Sequence, residues 1–90
     1  MPYVEMWLEM SGSGGPYRVA VLIPIGTEVP EYLTMKSSVD KFESQQFFVS
    51  EWYEKMLDAK DAIMKVAKFY SDLSIQFLFY RELRKPLTEW

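Results

Sequence analysis

Two segments in which apolar residues recur at every second position flank the loop Ser11-Gly12-Ser13-Gly14-Gly15-Pro16, and this pattern points to a β-hairpin at the start of the chain. In residues 3–10, Val4, Met6, Leu8 and Met10 share one face, with Tyr3, Glu5, Trp7 and Glu9 on the other. Residues 17–25 repeat the alternation, with Val19, Val21, Ile23 and Ile25 on one face and Arg18, Ala20 and Leu22 on the other. Glycine can supply the positive φ angles that a tight connection demands. Pro24 suits a strand end or a sheet edge, because it cannot donate to the ladder.

Beyond the hairpin the pattern weakens. Pro30 favours a turn or extended entry, and Glu31 to Ser37 reads as a short third strand. A helix follows, with two candidate starts: Asp40 with Glu43 forms a capping box, and Ser50 followed by Glu51 forms a second start. If Ser50 caps the helix, Phe42 to Val49 is open to a strand. From there Val49, Trp52, Met56, Ala59, Ile63, Val66, Tyr70 and Leu73 alternate spacings of three and four, the seam of a packed helix. A helix over about 50–71 is roughly 33 Å long, which matches strands of nine or ten residues at roughly 3.3 Å each. One that began at Asp40 would reach roughly 50 Å and overhang such a sheet.

The segment Leu73 to Leu83, LSIQFLFYREL, reads as a strand from Ser74 to Leu83 with both faces apolar. If Ile75, Phe77 and Phe79 face a helix-covered core, Leu78 and Tyr80 point to the opposite side. The alternative is a helical tail, because the seam continues through Phe77 and Tyr80. The fold expected is α+β in a single domain over residues 1–90: an antiparallel sheet of three or four strands with one long helix on one face.

Ninety residues lie near the lower limit for a self-sufficient core, so a partner or a second copy is a natural source of stability. The composition is 49% hydrophobic and 17% aromatic, with six Met and three Trp, types enriched at protein interfaces and in small cores alike. Net charge is −3, which argues against a nucleic-acid backbone binder. It is unevenly spread. Residues 1–59 carry four Lys/Arg against nine Asp/Glu, whereas residues 60–90 carry six against four.

Cysteine and histidine are both absent, which removes disulfides, thiolate or imidazole metal sites, and Ser/His/Asp or Cys/His nucleophilic catalysis. Glu5 and Glu9 interrupt the amino terminus against a signal peptide. No apolar run approaches the roughly 18 residues of a membrane span, so a soluble cytoplasmic protein is expected.

Several groupings invite chemistry. The glycine-rich loop lacks the Lys-Ser/Thr ending of a phosphate loop. Ser38-Val39-Asp40-Lys41 fits S-x-x-K, but helix capping accounts for Ser38 and Asp40. Glu51, Glu54, Asp58 and Asp61 form a stripe with the oxygen chemistry of a hard-cation site, yet their place opposite the seam reads as a solvated helix face. Glu5 and Glu9 would stand roughly 13 Å apart along a strand, too far for a glycosidase pair. No cofactor or metal is expected.

The opening Met1-Pro2-Tyr3-Val4-Glu5 resembles the start of the tautomerase superfamily, in which an amino-terminal proline freed of methionine acts as a base. The resemblance covers about five residues and implies a proton-transferring enzyme using Pro2. Those proteins place a helix directly after the first strand, whereas a glycine loop and a second strand follow here.

The reading preferred over this enzyme is a non-enzymatic interaction module, either a homodimer or a small subunit or inhibitor of another protein. Its expected contact residues are Tyr3, Trp7, Leu78 and Tyr80, an aromatic sheet face rimmed by Glu5, Glu9 and Arg81. The competing arrangement has Leu87 and Trp90 folding back over that face. A third reading, association with nucleic acid, would use Lys60, Lys65, Lys68, Arg81, Arg84 and Lys85.

Overall fold

The computed structural model describes residues 3–36 and 45–85. Its elements are β1 (Val4–Met10), β2 (Tyr17–Pro24), β3 (Thr34–Met35), β4 (Gln45–Val49), α1 (Met56–Asp72) and β5 (Phe77–Arg84). The strands form one sheet in the order β3-β4-β2-β1-β5, with α1 against one face. The architecture is α+β, as expected from the pattern, but the sheet has five strands rather than three or four and is mixed rather than antiparallel.

Connectivity explains the difference. β1 pairs antiparallel with β2, and β2 antiparallel with β4, so β1 and β4 point the same way. α1 then carries the chain back along the sheet, and β5 enters in the direction of β4, parallel to β1. A parallel neighbour needs such a crossover. The stretch expected to hold one weak strand contributes two, because Thr34 and Met35 pair with Val49 and Phe48 of β4.

The hairpin forms as the alternation predicts, with Glu5 opposite Leu22 and Leu8 opposite Val19. Its loop closes through a 2.9 Å hydrogen bond from the Ser11 amide to the Pro16 carbonyl. Gly15 has φ +98°, and a Cβ there would lie 2.6 Å from the Tyr17 ring, so backbone and space both select glycine.

The helix begins at Met56, six residues after Ser50. Two interactions hold the intervening chain extended along β2. Ser50 accepts a hydrogen bond from the Val19 amide on its hydroxyl at 2.8 Å, and Tyr53 exchanges backbone hydrogen bonds with Tyr17 at 2.6 and 2.7 Å. Ser50 therefore ties β2 to the end of β4 and does not cap α1; Val49 and Trp52 leave the helical seam. Gln45 to Val49 is strand, which resolves the choice between helix and strand for that part. Ser38, Asp40, Lys41 and Phe42 lie outside the described residues, as do Met1, Pro2, Leu87 and Trp90.

Between sheet and helix, Val4, Met6, Leu8, Val19, Val21, Ile23 and Phe48 meet Ala59, Ile63, Val66, Ala67 and Tyr70. Tyr70 is fully buried, and its hydroxyl donates to the Glu28 carbonyl at 2.8 Å. Burial pushes its pKa above the usual tyrosine range. The helix ends at Asp72 with Leu73 as its C-cap, and Ser74 adopts φ +57°, the left-handed turn that directs the chain into β5. Residues 77–84 are strand, so the helical-tail alternative is not adopted. No helix among the described residues is long and apolar enough to cross a membrane.

Candidate functional site

Away from α1, the sheet carries a second apolar cluster of Trp7, Ala20, Leu22, Phe47 and Val49, with Tyr80 packed against it. Trp7 stacks on Phe47 at a centroid distance of 6.1 Å and meets Tyr80 edge-on at 6.3 Å. Tyr80 donates from its hydroxyl to Glu5 Oε1 at 2.6 Å, a bond that raises the tyrosine pKa because the carboxylate stabilises the protonated phenol. Arg84 lies over both rings, 5.1 Å from Trp7 and 4.4 Å from Tyr80.

This network changes how the expected contact residues divide. All four sit on this side or at its edge, but Trp7 is only 2% exposed within the single chain, and Tyr80 is half-buried. Tyr3 and Leu78 are exposed at 41% and 42%, and with Gln76 and Phe77 they line a shallow hollow at the start of β5. The exposed surface on this side therefore comes from Tyr3 and Leu78, while Trp7 and Tyr80 form the layer beneath.

Glu9, expected at the charged rim, is fully buried. It accepts from Arg18 Nε at 2.7 Å and from Trp7 Nε1 at 3.3 Å, and the Arg18 guanidinium lies 4.4 Å from the Trp52 ring centre. The signal for this pair was present in the sequence: two opposite charges, each on the non-core face of a hairpin strand, at positions the register brings opposite each other.

β5 is the feature the pattern singled out, and its exposure follows from position. It lies at the sheet edge with β1 as its one strand neighbour among the described residues. Pairing with Val4 and Met6 puts Phe77 and Phe79 on the helix side, where α1 lies chiefly over β1 and β2, and they remain 38% and 36% exposed. The register shifts between Phe79 and Leu83, a bulge that bends the strand where its charged residues begin.

A second hollow lies on the helix side between α1 and β5. Leu8, Ile63, Met64, Phe79 and Tyr80 line it with Lys60 and Arg81, around a volume of about 260 Å³. On the far flank of α1, Asp58 and Asp61 line a separate cleft with Tyr32, Tyr53, Ala62 and Lys65, whose ammonium sits 4.5 Å from the Tyr32 ring centre. Among the described residues, no three acidic side chains come together closely enough to hold a metal ion.

No family model, curated protein or solved structure matches the chain.

Proposed function

We propose that this chain is a non-enzymatic protein-interaction module that receives another polypeptide along β5 and the adjoining sheet surface, as a homodimer or as a small subunit or inhibitor of another protein. The observation that carries this reading is β5 itself, an eight-residue edge strand with apolar side chains exposed on both faces. An edge strand presents unpaired amides and carbonyls that can add a further strand. The opposite edge, β3, is two residues long, one of the ways sheets blunt an edge.

Tyr3 and Leu78 would contribute contacts from one face, and Phe77 and Phe79 from the other. Trp7, stacked on Phe47 and held through Glu9, would act as a rigid floor beneath that surface. A partner strand gains backbone hydrogen bonds for affinity and alternate side-chain sites for specificity.

Photo-crosslinking tests the reading. A photoreactive residue at Leu78 or Phe77 is expected to form a discrete adduct in producing cells, either with a second copy or with another protein, while the same group at Asp61 on the outer flank of α1 forms none. Absence of an adduct at β5, or equal labelling from Asp61, would count against it.

A further inference from the structure

The chemistry of the partner follows from the hollow between α1 and β5, an inference that rests on the reading of β5 as a binding edge. Leu8 and Ile63 form its buried floor, and Met64 and Phe79 stand exposed above them. Lys60 and Arg81 are its two charged lining residues, and neither has an ion-pair partner among the described residues. Lys60 and Met64 stand four apart on α1, so a basic and an apolar group sit side by side along this flank of the hollow. On β5, Arg81 follows Phe77–Tyr80 and lines the hollow, whereas its neighbour Glu82 does not. The chain as a whole carries −3, so this cationic, apolar strip runs against its overall charge.

An occupant must match both properties. A strand laid antiparallel to β5 by a second copy, in the register that sets Arg81 opposite its own copy, brings like charges together around the twofold axis, and other registers leave Lys60 and Arg81 without an acidic group across the seam unless Glu82 supplies it. A partner strand that alternates apolar and acidic side chains instead meets apolar groups at Met64 and Phe79 and cations at Lys60 and Arg81. We propose that an extended, acidic, amphipathic segment of a partner protein adds to the free edge of β5, with its apolar side chains in the α1–β5 hollow and its carboxylates on Lys60 and Arg81.

The probe is a pair of ten-residue peptides, one alternating Glu with Val and one alternating Lys with Val, titrated against the full chain by fluorescence polarisation. The acidic peptide is expected to bind at least about tenfold more tightly at low salt, and added salt should narrow the gap. In a Lys60→Glu, Arg81→Glu double variant the preference should invert in favour of the Lys peptide. A Lys60→Gln, Arg81→Gln variant should abolish it; if the reversed variant fails to fold, this one decides. Equal binding of the two peptides, no binding of either, or an unaltered preference in the variants would overturn the proposal. So would exclusive binding to phosphatidylserine vesicles or to nucleic acid through the same cations. A chain that crosslinks to its own copy at Leu78 while ignoring the acidic peptide would leave β5 as an interaction edge and remove the acidic partner.

Discussion

Glu9 and Arg18 stand opposite each other in the β1–β2 register and form a 2.7 Å ion pair whose side chains are 0% and 8% exposed. Removing one partner strands a charge in the interior. Arg18→Met should therefore cost about 3–5 kcal/mol, more than most single substitutions. Glu9→Gln with Arg18→Met keeps an acceptor for the Trp7 indole and leaves no buried charge, so the double variant should recover much of that loss. Urea unfolding of both variants measures the difference.

Ser50 joins β2 to the end of β4 with a hydroxyl that serves the Val19 amide and the Glu51 carbonyl. Ser50→Ala leaves a buried amide without an acceptor and should lower stability by about 1–3 kcal/mol. If Ser50 served instead as a helix cap, the change would appear as lost helicity; circular dichroism of the folded variant should show the helix content unaltered.

Two backbone positions predict opposite signs. Ser74 holds φ +57° at the exit of α1, so Ser74→Gly should stabilise the fold by about 0.5–1 kcal/mol. Gly15→Ala should destabilise it, because the new methyl meets the Tyr17 ring in a conformation that already excludes side chains. Thermal melts of the two variants should move in opposite directions.

Tyr70 gives the fold an alkaline limit. Its pKa is raised in the folded state, chiefly by burial, so folding favours the protonated phenol. That stability is complete below the unfolded value of about 10 and is lost as pH rises above it through the folded value. Wild type should lose stability steeply above pH ~10. Tyr70→Phe should be weaker at neutral pH, having lost its bond to Glu28, but should show a shallower alkaline slope. Denaturant midpoints measured from pH 8 to 11 give both quantities.

Much of the fold was legible because period-two alternation is a local signal. The faces assigned to Val4, Met6 and Leu8 and to Val19, Val21 and Ile23 are those that meet α1. Ala59, Ile63, Val66 and Tyr70 likewise kept their place in the helical seam. Non-local pairing was not legible. Val49 and Trp52 fit the seam by spacing, but pairing along β2 holds their segment extended. The direction of β5 depended on how far α1 travels across the sheet, which no residue pattern encodes. For the candidate site, the apolar character of both β5 faces could be read directly. The burial of Trp7 and Glu9 could not, because it depends on Phe47 and Arg18 arriving from other strands.

The central claim is that β5 offers an open edge to another chain, and amide hydrogen exchange along Phe77–Arg84 tests it most directly. In dilute free protein, alternate β5 amides, those turned away from β1, should exchange at nearly unprotected rates while β1 and β2 stay protected. Slow exchange of every β5 amide in a chain shown to be monomeric would mean that the edge is already covered, and would contradict the claim.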